Sequence, residues 1–294
     1  MSFISYLING ISLGSIYAII ALGYTMVYGI AKMLNFAHGD VIMVGGYLIF
    51  TFVSTLNLPI AAGILLAVVL CTALGITIEA IAYRPLRNAA SSLAVLITAI
   101  GVSYFLQNIA LLIFGANPKA FTSVVSMEPI KLFNEQITIS GETIVTIISC
   151  IIIMVVLTWF VNKTKAGQAM LAVSEDKGAA QLMGINVNGT ISLTFAIGSG
   201  LAAIAGMLLC SAYPSLSPYT GSMPGIKAFV AAVFGGIGSI PGALIGGIAL
   251  GIIEILGKAY ISSQLADAIV FLVLILVLLV KPTGILGKHV QEKV

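Results

Sequence analysis

Apolar runs of about 20 residues recur along almost the whole chain, each long enough as a helix to cross a hydrocarbon core of about 30 Å. They fall at roughly 3–30, 34–55, 58–83, 93–115, 141–162, 190–211, 226–257 and 265–280. Of the 294 residues 60% are hydrophobic and 8% are charged, whereas a soluble domain carries roughly 25% charged residues. Water cannot be the main solvent of such a chain. The expected fold is all-α, a polytopic transmembrane helical bundle of about eight spans forming a single membrane domain over residues 1–294. The run at 226–257 carries GGIGSIPG in its middle, a cluster that can break it in two and raise the count to nine. The first residues, MSFISYLINGISLGSIY, lack a basic n-region, and the apolar stretch from Phe3 to Ile30 exceeds a signal peptide's h-region. A retained first helix is expected.

The few charges report orientation. Arg84 and Arg87 share one connection, Lys163, Lys165 and Lys177 another, and Lys281, Lys288 and Lys293 the tail. By the positive-inside rule all three regions, the C-terminus included, are cytoplasmic. The connection from Ala116 to Ser140 mixes Lys119 and Lys131 with Glu128 and Glu135 and belongs outside. A net charge of +3, spread between spans, does not point to nucleic acid. Cys71, Cys150 and Cys210 lie singly in apolar segments with no nearby His, which reads as small core residues rather than a metal site.

Helices in lipid associate where small residues let backbones approach. Three ladders of such residues stand out: Gly10, Gly14 and Ala18; Gly198, Ala202 and Gly206; and Gly238, Gly242 and Gly246, followed by Gly247 and Gly251. Packing within the bundle is the plain reading, a pore-lining role the other.

Polar side chains inside spans need partners. Glu254 stands four residues before Lys258 on one helical face, which reads as a pair near the outer boundary. Glu79 lies one turn before Tyr83 and beside Arg84, near the inner end of its span. Gln107 and Asn108 sit in the middle of 93–115 and call for an interhelical bond or a wet cavity. The densest polar cluster at a span boundary is Asn35-Phe36-Ala37-His38-Gly39-Asp40. It reads either as a helix start, with Asp40 favoured by the dipole, or as a functional break that turns backbone N–H groups or His38 towards a translocation path. On the second reading Asn35, His38, Asp40, Gln107 and Asn108 are candidate path residues. One His and one Asp make no catalytic or metal constellation, and no HExxH, GxSxG or GxxxxGK[ST] motif occurs.

The segment from Asn162 to Gly189 is the longest soluble-looking connection on the inner side. Ser174 can cap a helix of about nine residues whose first turn holds Glu175 and Asp176, with Gly184 ending it. Ala179, Leu182 and Met183 then form an apolar face outside the membrane, which calls for a partner protein. An interfacial helix would be richer in Lys and Arg.

These motifs are recognisable. LNFAHGD from Leu34, LITAIGVSYFLQNIALLIFG from Leu96, SEDKGAAQLMGINV from Ser174, KAFVAAVFGGIGSIPGALIGG from Lys227 and LVKPTGILG from Leu279 resemble permeases of the branched-chain amino acid ABC importer family, along essentially the full chain. Within it the chain most resembles the first of the two permeases of leucine, isoleucine and valine systems. The resemblance implies a bacterial inner-membrane complex: two homologous permeases forming the path, two ATP-binding cassette ATPases on their cytoplasmic loops, and a periplasmic substrate-binding protein. It also implies that Glu175, Asp176, Ala179, Leu182, Met183 and Gly184 carry the short coupling motif that sits in an ATPase groove. ATP and Mg would be bound by the partner subunits, with no cofactor on this chain and no catalysis by it. The alternatives are an importer of urea or short amides from the same family, or a self-sufficient secondary transporter. The latter should show midplane carboxylates or helices broken symmetrically in two halves.

Overall fold

The computed structural model describes residues 2–87, 92–132 and 137–287; Lys288, Lys293 and Glu135 lie outside them. Eleven α-helices occur among the described residues. The long ones are α1 (Ser2–Ala31), α3 (Ile60–Ile78), α4 (Ser92–Phe114), α5 (Gly141–Lys163), α8 (Val187–Ala212) and α10 (Ile240–Tyr260). These six are long and apolar enough to cross a membrane. Three shorter apolar helices complete the bundle: α2 (His38–Ile49), α9 (Ser222–Gly235) and α11 (Ala266–Val280). Two small helices, α6 (Lys165–Glu175) and α7 (Lys177–Leu182), lie in the segment before α8. The expected helical bundle is therefore present, and GGIGSIPG does split the run at 226–257. Gly236 ends α9 at φ +105, and Ser239 caps α10 by accepting from the Gly242 N–H, with Pro241 in the first turn.

Two ends can be told apart by what meets there. At the basic end, Lys177 donates to the Ala31 carbonyl closing α1 (3.0 Å), while Arg87 and Arg84 reach Asn188 and Ser192 at the start of α8. At the other end, Tyr6 and Tyr260 stack edge-on at 5.9 Å. A small hairpin of β2 (Ile130–Leu132) and β3 (Ile137–Ile139) and a bridge between β1 (Lys119–Ala120) and β4 (Ser215–Leu216) cover that hairpin end.

Within this frame α2 and α9 do not start at either end. The His38 ring lies edge-on to Tyr24 (4.7 Å), seven residues before α1 ends at Ala31, so α2 begins about 10 Å inside the bundle. Lys32, at φ +57, turns the chain back so that it climbs without helix before α2. Gly39 and Gly221 are in backbone contact, and Gly225 touches Gly39 as well. The start of α9 is thereby placed beside the start of α2. From there α2 runs to the hairpin end and α9 to the basic end, where Gly238 meets Gly29. Asp40 occupies the first turn of α2, so the helix-start reading of residues 35–40 holds and the discontinuity is present too.

The glycine ladders are packing devices. A Cβ at Gly10 would lie 2.8 Å from the Ile252 Cα, and one at Gly14 2.6 Å from the Ile248 Cα; Gly247 and Gly251 answer from α10 against Ala18 and Gly14. Gly242 and Gly246 face α9 instead, against Gly235 and Ala231. Gly198 meets Gly23 on α1, and Gly206 meets the Ile42 carbonyl on α2. The third ladder requires one correction: Gly238 is not on the helix but in the turn before it, at φ +92, because the cap at Ser239 starts α10 one residue later.

Candidate functional site

A cavity of about 470 Å³ opens where the two short helices begin. Its walls are Tyr24 of α1, Phe36, Gly39 and Asp40 at the start of α2, Leu96 to Gln107 along one face of α4, and Tyr219 to Ile226 leading into α9. Asp40 is 2% exposed and accepts from the Gln107 side-chain amide at 2.8 Å. That amide also lies 3.4 Å from the hydroxyls of Ser103 and Ser222. One amide therefore ties α2, α4 and α9 together, the interhelical bond expected of Gln107. Asn108 does otherwise. It is exposed and donates to the Tyr104 carbonyl of its own helix (2.7 Å), because its direction on α4 turns it away from α2.

Of the remaining candidate path residues, neither lines this cavity. Asn35 is buried and accepts from the Tyr83 hydroxyl at 2.8 Å. His38 is buried against α1, where the absence of a side chain at Gly23 makes room for its ring. Its Nε2 has no hydrogen-bond partner among the described residues.

At the basic end α7 projects from the bundle. Asp176 caps it, its Oδ1 accepting from the N–H groups of Gly178 (2.8 Å) and Ala179 (3.0 Å), and Gly184 ends it at φ +83. Leu182 and Met183 at its tip are 90% and 82% exposed. The sequence reading is corrected here in one respect. Ser174 and Glu175 belong to α6, where the Ser174 hydroxyl donates to the Leu171 carbonyl. The helix after the break has six residues, because the Asp176 carboxylate satisfies two N–H groups and outcompetes Ser174 as the cap. Desolvation of the Lys177 ammonium, with Arg87 and Lys32 nearby, holds its pKa below the ordinary lysine value.

Two ionic clusters brace the helices around the cavity. At the basic end, buried Glu79 pairs with Arg84 (2.8 Å) and Arg87 and accepts from Ser192 (2.6 Å). Nearer the hairpin end, Glu254 accepts from Lys227 (2.8 Å), Lys258 (2.6 Å) and Tyr17 (2.8 Å), and Lys227 also pairs with Asp267 at 2.6 Å. The Glu254–Lys258 pair is the one expected from spacing. Lys227 and Tyr17 join Glu254 as partners that spacing does not mark, and Asp267 pairs with Lys227.

The family described as "Branched-chain amino acid transport system / permease component" matches residues 6–278. The high-affinity branched-chain amino acid transport system permease protein LivH of Escherichia coli is 47% identical, over 99% of this chain and 98% of its own. BraD, the corresponding permease protein of Pseudomonas aeruginosa, is 43% identical over 99% and 98%. A probable LivH of Methanocaldococcus jannaschii is 29% identical over 92% and 88%. The chain belongs to this permease family. Placed among the branched-chain amino acid permeases, it is a transport component, and its multi-pass helical bundle is the body of that component. The cavity between α2, α4 and α9 and the exposed tip of α7 are the two features of this family member whose chemistry the bundle alone does not explain.

Proposed function

We propose that this chain is the membrane-spanning permease subunit of an ATP-driven importer of branched-chain amino acids. The observation that carries this reading is the 47% identity to LivH over 99% of the chain. A second, homologous permease would face it across the path. Two ATPases would hold ATP and Mg, and a periplasmic binding protein would deliver the amino acid at the hairpin end. In a bacterial inner membrane the basic end, with Arg84, Arg87, Lys163, Lys165, Lys177 and Lys281, is cytoplasmic by the positive-inside rule, and the C-terminus with it.

The geometry supports a route for coupling. Leu182 and Met183 present an apolar tip that a groove on an ATPase would desolvate, with Asp176, Ala179 and Gly184 fixing its shape and Glu175 just ahead of it. Movement of α7 passes to α1 through the Lys177–Ala31 bond and to α8 through the Ile185 N–H, which donates to the Ala180 carbonyl of α7 (3.0 Å). Those two long helices flank α2 and α9, whose starts wall the cavity. A path through the cavity would be opened and closed by displacing these short helices.

Affinity purification of the tagged chain from gently solubilised membranes tests the assembly. Co-recovery of a second permease and ATP-binding subunits is expected. Recovery of the chain alone, stable and monodisperse, would speak for a self-sufficient transporter.

A further inference from the structure

Among the described residues three carboxylates are buried between the apolar helices, and two have cations. Glu79 has Arg84 and Arg87; Glu254 has Lys227 and Lys258. Asp40, 2% exposed, pairs with no Lys or Arg among the described residues. Among the described residues it is also the only formally charged side chain lining the cavity, whose other walls are mainly apolar. An ionisable group within a membrane span costs several kcal/mol unless something compensates it. An amide-to-amide bond would join α2 to α4 at lower cost, so the staple to Gln107 does not account for a carboxylate.

What compensates Asp40 in part is backbone. The residue sits in the first turn of α2, and the close approach of Gly39 to Gly221 and Gly225 brings the start of α9 beside it. The N-termini of α2 and α9 therefore both lie beside the carboxylate. The carboxylate stands at the cavity wall with no Lys or Arg beside it among the described residues.

We propose that Asp40 is the permease's own subsite for a primary ammonium group: the amino group of a passing amino acid meets the Asp40 carboxylate while Leu96, Ile100 and Ile226 take up its apolar side chain. This rests on the importer reading for the identity of the cargo. It adds a station inside the path that reads the amino group independently of the binding protein. A cavity of this volume falls within the range of about 300–1,000 Å³ usual for small-ligand sites. Tyr104, Tyr219 and Ile226 are exposed at its mouth, the side from which a ligand would enter.

The test places a thiol in the cavity. Ile100→Cys is made in the assembled importer, where the natural Cys71, Cys150 and Cys210 are buried and give little background. It is labelled with 2-aminoethyl or 2-sulfonatoethyl methanethiosulfonate, equal in reach and opposite in charge. With each rate divided by that reagent's rate with free cysteine, the cationic reagent is expected to react about ten-fold faster than the anionic one. Asp40→Asn should reduce that preference to less than about two-fold, and Asp40→Glu should keep it. Millimolar leucine should slow labelling, and 4-methylpentanoic acid, the same skeleton without the amino group, should not. Equal rates for the two reagents, or equal protection by leucine and 4-methylpentanoic acid, would overturn the subsite. Leucine uptake by the unmodified importer, measured in parallel, separates the two claims. Uptake without reagent preference sinks the subsite alone, and reagent preference without uptake leaves the cation site standing and sinks the importer reading.

Discussion

Glu254 illustrates how much a single buried side chain can hold. Its carboxylate receives Lys227 from α9, Lys258 from its own helix and the Tyr17 hydroxyl from α1. Removing the charge strands Lys227, which is itself 6% exposed, with only Asp267 to face. Glu254→Gln is expected to lower stability by about 3–5 kcal/mol, read as an earlier thermal unfolding of the purified protein in detergent. Lys258→Met should cost less than about 1 kcal/mol, because that ammonium is more than a third exposed; equal losses for the two variants would contradict the assignment. The pair at i and i+4 was legible in the sequence because its spacing is local. Lys227 and Tyr17 lie 27 and 237 residues away, and nothing in one sequence marks such distant partners. The same holds for Glu79. Its neighbour Arg84 was expected, whereas Ser192 arrives from α8, 113 residues on, and Tyr83 turns to Asn35 instead.

Among the elements, α7 and the α1–α10 crossing make the sharpest demands. Leu182→Asp puts a charge on a side chain that touches little within the subunit, so the thermal unfolding of the isolated chain should be unchanged. Recovery of the ATPases with it should be lost. Normal recovery would count against docking by α7. Asp176→Ala removes the acceptor for two N–H groups and should weaken the α7 cap by about 1 kcal/mol, detectable as faster amide exchange over 177–182. At the crossing, Gly14→Leu forces a branched side chain against the backbone of Gly247 and Ile248. It is expected to abolish recovery of folded, monodisperse protein, whereas Gly101→Ala, with open space beside it, should be silent. Helix existence was legible from apolar run length, and the break at GGIGSIPG from its glycines and proline. The start of α2 inside the bundle was legible only as one of two readings. The low start of α9 is set by the non-helical stretch Tyr213–Gly221, whose two prolines resist helix but do not say how far the chain descends before helix resumes. In the segment before α8 the sequence predicts one helix where two occur, because both Ser174 and Asp176 are competent caps.

On the scale of the whole molecule, long helices set a frame and two short ones begin within it. Helices interrupted in both halves are the mark expected of a secondary transporter, yet α2 and α9 supply that feature in a chain that belongs to the branched-chain amino acid permease family. The discontinuity is thus a way of opening a mainly apolar cavity with a few polar groups between packed helices, irrespective of the energy source. On the proposed function the source docks at the basic end, where α7 offers an apolar tip, because the sequence carries no phosphate-binding loop. Uptake of radiolabelled leucine into proteoliposomes, with both permeases, the ATPases and the binding protein reconstituted together, tests this account most directly. Accumulation that requires ATP, and that is absent from liposomes holding this chain alone, is the predicted result. Leucine uptake by the isolated chain, driven by an ion gradient without ATP, would contradict it.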